Sequence, residues 1–180
     1  MFDGGRGGIK LADLSDLIHL HHQGLYRYAF RLTGQSADAE DLVQETYLQA
    51  NRKLHTIKNL GSLKPWLFSI LRNQHLMRLR QRGKPVESLE DFGDWPAPSS
   101  GIEAEHDSEL LQRLLLEMPE GYRTPLILFY LEDFTYRDIS DQMGIPIGTV
   151  MSRLARAKDW IRTRYPVDDL PCQQSSREER

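Results

Sequence analysis

The sequence predicts an all-α protein built as two small helical domains joined by a flexible acidic linker. Three observations predict it. Apolar residues recur at helical spacing in two blocks, residues 11–83 and 108–165. Neither block sustains the period-two alternation of a sheet strand, and no repeat at solenoid spacing is present. Between the blocks, residues 84–107 gather Pro85, Pro96, Pro98, Ser99, Ser100 and Gly101 with seven acids, a composition that cannot bury a core.

The elements follow in order. Residues 1–10 hold four glycines and read as a flexible leader. From Leu11, the residues Leu14, Leu17, Ile18, Leu25, Tyr28 and Leu32 keep a 3.6-residue period, and Gly34 supplies a stop. Ser36 is placed to cap the next helix, whose apolar stripe is Val43, Tyr47, Ala50 and Leu54. A polar stretch from His55 to Ser62 interrupts the pattern. A third helix is predicted from Leu63 to Gln81, apolar on nearly all sides until Leu71 and basic afterwards, so buried at its start and exposed at its end.

The second block opens near Ser108 with Leu110, Leu111, Leu114, Leu115 and Met118 on one face, and Pro119 ends that helix. Tyr122 to Leu131 supplies the next, with Pro125 in its first turn. Thr135 followed by Asp138 is a capping-box-like start. Ile139 and Met143 face inward, Gly144 closes this short helix, and Pro146 follows. The last helix runs from about Gly148 to Arg164 with Val150, Leu154, Ala157 and Ile161 on one stripe, and Pro166 opens a polar tail, residues 166–180. Trp66 and Trp160 sit on apolar stripes and read as packing residues.

Composition excludes several classes. Apolar runs are only a few residues long, so no membrane insertion is expected, and the N-terminus lacks the apolar core of a signal peptide. The single cysteine, Cys172, permits no intrachain disulfide and fits a reducing, cytoplasmic setting. The net charge of −3 hides segregation: +4 over residues 1–80, −5 over 81–107, 0 over 108–165 and −2 over 166–180. Two basic stretches stand out, Arg72 to Lys84 and Arg153 to Arg164. No enzymatic signature is present. Gly83-Lys84 lacks the preceding glycine of a phosphate-binding loop, and neither G-x-S-x-G nor H-E-x-x-H occurs. In the cluster His19, His21 and His22, His19 and His22 stand one turn apart but have no nearby Cys and no third metal partner at clear spacing, so no metal or other cofactor is expected.

Residues 135–160, TYRDISDQMGIPIGTVMSRLARAKDW, carry the strongest single signal. A short capped helix, a glycine able to turn left-handed and a longer helix with a polar outer face describe a helix-turn-helix. With Val150 inward, a rotation of about 100° per residue turns Ser152, Arg156 and Thr163 outward, flanked by Thr149 and Arg153. Hydroxyls and guanidiniums are the groups that bond base edges and phosphates. In such motifs the N-terminal half of the second helix enters the major groove, which selects Thr149, Ser152, Arg153 and Arg156. Lys158 and Arg162 are better placed for phosphates or for pairs within the domain.

Two blocks carry a family resemblance. DAEDLVQETYLQA at 38–50, a loop, and LKPWLFSILRN at 63–73 resemble region 2 of bacterial sigma factors. Residues 117–158, EMPEGYRTPLILFYLEDFTYRDISDQMGIPIGTVMSRLARAK, resemble their region 4. The order, the acidic linker and the lack of an intervening region 3 resemble the extracytoplasmic-function (ECF) subfamily of the sigma-70 family, over about Leu11 to Tyr165. The resemblance implies a three- to four-helix region 2 bundle over residues 11–83 and a region 4 helix-turn-helix domain over residues 108–165. It implies a non-enzymatic subunit that binds core RNA polymerase, recognises −35 and −10 promoter elements and assists melting, and that is monomeric when free and restrained by an anti-sigma factor.

Site roles follow from the same resemblance. Asp41, Gln44, Glu45 and Leu48 would dock on polymerase. His55, Lys58 and Asn59 in the loop, with Asn73, would engage the −10 strand, where a base is extruded at a cost of a few kcal/mol. Arg72, Arg78 and Arg80 would hold its phosphates. Thr149, Met151, Ser152, Arg153 and Arg156 would read the −35 duplex. Three positions depart from the family pattern: Asn51 replaces a common aromatic, Met151 a common Lys or Arg, and Ala155 a bulkier residue in some members. Met151 can touch a thymine methyl but cannot bond a phosphate. Two rival readings remain at this level, an autonomous helix-turn-helix regulator and a helical adaptor that binds only protein. The 38–50 block separates the first, since a repressor has no use for it.

Overall fold

The computed structural model describes residues 11–53, 62–83 and 107–164, and within the first helix the side chains from Leu20 onward. Among the described residues there are seven α-helices and no strand: α1 Leu11–Thr33, α2 Ser36–Lys53, α3 Leu63–Gln81, α4 Asp107–Glu117, α5 Glu120–Tyr130, α6 Tyr136–Met143 and α7 Ile147–Arg164. The chain divides into two compact units, Met1–Pro85 and Val86–Arg180. The leader, residues 54–61 with His55, Lys58 and Asn59, most of the acidic linker and the tail with Cys172 lie outside the described residues.

In the first unit, α1 and α2 form a hairpin because the link is short. Gly34 takes φ 77, a left-handed backbone that L side chains resist, and its N–H donates to the Phe30 carbonyl at 2.8 Å. Thr33 Oγ1 donates to the Ala29 carbonyl. Ser36 is the first helical residue rather than the cap, because the Gln35 carbonyl already accepts the Ala39 N–H at 3.0 Å. The core interleaves Leu25, Tyr28, Ala29 and Leu32 of α1, Ala39, Leu42, Val43 and Ala50 of α2, and Leu63, Leu67, Phe68, Ile70, Leu71 and Leu76 of α3. Each such large side chain contributes about 1.5–3 kcal/mol on burial. Tyr28 stacks on Phe68 at 5.2 Å. Tyr47 is only half-buried, and burial in α3 extends past Leu71 to His75 and Leu76.

In the second unit, α5 begins at Glu120, earlier than the sequence suggests, because Pro119 with φ −55 and ψ 141 serves as its cap residue. Pro125 therefore lies inside the helix rather than in its first turn, and its missing N–H deprives the Gly121 carbonyl of a helical partner. Leu110, Leu114 and Leu115 of α4 and Met118 just after it are buried, as are Tyr122, Leu126, Ile127 and Leu128 of α5. Within α5 a buried ion pair has Arg123 Nε donating to Glu120 Oε2 at 3.1 Å and the Thr124 hydroxyl donating to Glu120, while Arg123 Nη1 reaches across to the Leu115 carbonyl of α4. Glu120 also sits at the positive end of α5. On α7, Val150, Leu154, Ala157 and Trp160 fill the core; Ile161 is half-buried, so Trp160 takes the fourth place on the stripe.

Candidate nucleic-acid interfaces

The second unit presents the helix-turn-helix formed by α6 and α7. Thr135 and Asp138 cap α6 reciprocally: the Asp138 N–H donates to Thr135 Oγ1 and the Thr135 N–H to Asp138 Oδ2, both at 3.1 Å. Gly144 ends α6 at φ 66 and ψ 35 and donates to the Ser140 carbonyl at 2.9 Å. Ser140 Oγ returns a bond to the Ile145 carbonyl at 2.6 Å, so both sides of the turn are tied. The Pro146 carbonyl then accepts the Thr149 and Val150 N–H groups and starts α7. An eight-residue helix is too short to be stable alone, so these bonds fix the angle at which α7 is held.

With its inner stripe spent on the core, α7 exposes Met151, Ser152, Ala155, Arg156 and Lys158, while Thr149 and Arg153 are half-buried. Ser152 Oγ donates to the Thr149 carbonyl at 3.0 Å. Arg156 Nη1 donates to the Tyr122 hydroxyl at 3.3 Å, which links the exposed guanidinium to a buried ring of α5. No local pattern in the sequence reveals that link, since 34 positions separate the partners. Arg162 pairs with Asp159 at 3.4 Å, and Arg164 lies 4.1 Å from the Trp160 ring centre. Cations along α7 are thus engaged within the unit, Arg156 with Tyr122, Arg162 with Asp159 and Arg164 with the Trp160 ring.

The first unit divides its predicted site residues differently. Asp41, Gln44 and Leu48, spaced to share one face of α2, are exposed, Leu48 at 62 %. Leu20 on α1 is a second exposed leucine. Glu45 is half-buried and accepts Arg78 Nη2 at 2.9 Å; Arg78 Nη1 also donates to the Asp38 carbonyl at 3.4 Å. Two residues given separate roles by sequence, Glu45 for polymerase and Arg78 for DNA, are therefore partners across α2 and α3. Asn73 and Arg80 share an exposed face of α3 with Met77, and Arg72 is half-buried. His55, Lys58 and Asn59 lie outside the described residues.

An aromatic pair lies between α1 and α2, His22 exposed and Tyr47 half-buried. The His22 and Tyr47 rings stack at 6.0 Å, with His22 Nδ1 and Tyr47 Oη 3.3 Å apart. Burial pushes the Tyr47 phenol up to about 12. Burial first, and the Lys64 charge second, hold His21 below its ordinary 6.5. No group of three or more metal-ligating side chains occurs among the described residues, and none of their helices is long and apolar enough to cross a membrane.

Comparison with known proteins follows this division. Residues 17–84 match the family model for sigma-70 region 2, and residues 108–161 that for sigma-70 region 4. The ECF RNA polymerase sigma factor SigE of Mycolicibacterium smegmatis is 33 % identical over 90 % of this chain, which spans 65 % of that protein. SigL of Mycobacterium tuberculosis, also an ECF sigma factor, is 32 % identical over 88 % of this chain and 92 % of its own length. Among solved structures, the sigma factor RpoE of Bartonella quintana, crystallised with the anti-sigma factor NepR, superposes with a TM-score of 0.72 at 28 % identity, covering 88 % of this chain and all of that one.

Proposed function

The chain belongs to the ECF RNA polymerase sigma factors of the sigma-70 family, and from that premise we propose how its two units divide promoter-directed initiation. Its function is that of a sigma factor: it associates with core RNA polymerase and directs it to promoters. The first unit docks on polymerase through the exposed face of α2, with Asp41, Gln44 and Leu48 in contact and Glu45 supporting them from its pair with Arg78. Asn73 and Arg80, exposed together on α3, track the opened −10 strand; Arg72 and the loop residues His55, Lys58 and Asn59 complete that contact. Thr149, Met151, Ser152, Arg153 and Arg156 read the −35 duplex. The chain performs no catalysis of its own, works in the cytoplasm as a monomer when free, and is restrained by an anti-sigma factor, the kind of partner found with the B. quintana relative.

The observation that carries this reading is the outward face of α7, hydroxyl and guanidinium groups on a helix held by a capped turn, in a chain whose other unit is a region 2 bundle. An autonomous regulator is not favoured, because it has no use for that bundle. Run-off transcription with core polymerase on a genomic library, followed by start-site mapping, tests the reading. The expected result is a set of start sites absent with core alone and sharing two spaced motifs. Start sites identical with and without the protein would overturn it.

A further inference from the structure

We propose that an apolar ridge on α7, Ile147, Met151 and Ala155, reads thymine 5-methyl groups in the −35 duplex, with Met151 as a specificity-determining residue. The inference rests on α7 being the −35-reading helix and adds the chemistry of what it selects. The three residues stand four apart, so they form one row along the helix. All three are exposed, Ile147 at 45 % and Met151 at 51 %. The core does not need them, because Val150, Leu154, Ala157 and Trp160 already fill the inner face. A second row, Gly148, Ser152 and Arg156, runs beside the first and is also exposed. Gly148 has open space where a Cβ would stand, so the start of the helix can approach a groove floor closely.

Charge selects the occupant. Arg156 and Lys158 are exposed on the same helix, against one exposed acid, Asp159, a match for phosphate and a poor match for an apolar protein face. In a duplex the apolar feature displayed in the major groove is the thymine methyl, and a thioether or branched alkyl side chain packs against it. Met151, unbranched and polarizable, adjusts to such a contact. Reading by hydrogen bonds passes instead to the neighbouring row, through Ser152 and Arg156.

The test uses holoenzyme, made from core polymerase and the full chain, on promoter duplexes. A randomised −35 segment is first selected, and each thymine in the preferred sequence is then replaced singly by deoxyuridine, which removes only the methyl. At one or two positions the replacement is expected to weaken binding about fourfold, the worth of one buried methyl-sized group. Met151→Ala should erase that difference, and Met151→Leu should keep most of it. Equal binding of thymine and uracil at every position in the wild type would overturn the proposal, as would a difference that survives Met151→Ala. A −35 segment with no sequence preference at all would overturn the reading beneath it as well.

Discussion

The two units solve the same problem, holding a polar face in place, by opposite means. In the first, the helices run to 18 residues or more, and a long interleaved core holds them. Its ion pairs, Arg78 with Glu45 and Arg82 with Asp38 at 3.7 Å, lie at the surface across α2 and α3. In the second, three of the four helices have 11 residues or fewer. Such helices cannot rely on length, and specific bonds help to hold them: the Glu120–Arg123 pair, the Thr135–Asp138 box and the bond made at the left-handed Gly144. A docking surface made of long helices tolerates loss of any one polar contact. A reading helix set by short neighbours depends on a few of them.

That contrast can be broken at several points. The largest effect is expected from Glu120→Ala, which leaves a buried Arg123 uncompensated and should destabilise the second unit by about 3–5 kcal/mol. Hydrogen exchange on the full chain would show protection lost in α4–α7 and retained in α1–α3. Next, Thr135→Ala removes one side of the capping box and should cost about 1 kcal/mol, read as faster exchange in α6 and weaker −35 binding. Smaller again is Glu45→Gln. The pair with Arg78 is partly exposed, so its loss should cost at most about 1 kcal/mol in urea unfolding, and less as salt is raised.

The smallest effect is a pH dependence confined to the first unit. His21 is held below its ordinary 6.5, so the unfolded chain takes up the proton first. Stability is therefore fully present above pH 6.5 and declines as pH falls below it. Urea midpoints followed by α1–α3 exchange should drop as pH falls below 6.5, and His21→Gln should flatten that slope.

Local chemistry was legible from sequence, and distant pairing was not. The Thr135–Asp138 spacing and Gly144 announce α6 directly, because caps act within four residues. The span of α3 follows from its apolar run. Pro125 misled, since proline is favoured in the first turn of a helix, whereas here Pro119 is the cap residue and Pro125 is carried inside. Glu132 is buried and Asp133 adopts φ 58 in the turn after α5, a backbone state that aspartate tolerates without a local sign beyond its residue type. Arg78 with Glu45 and Arg156 with Tyr122 join residues more than 30 positions apart, and periodicity says nothing about such pairs.

The division of labour between the units is the central claim, and the double variant Arg153→Ala with Arg156→Ala tests it most directly. Core polymerase is titrated with wild type or variant, and promoter binding is followed against salt on a promoter mapped with the wild type. The account predicts unchanged affinity for core, start-site selection lost, and a salt slope flattened by about 0.9 for each phosphate contact removed. Unchanged start-site selection with an unchanged slope would contradict it.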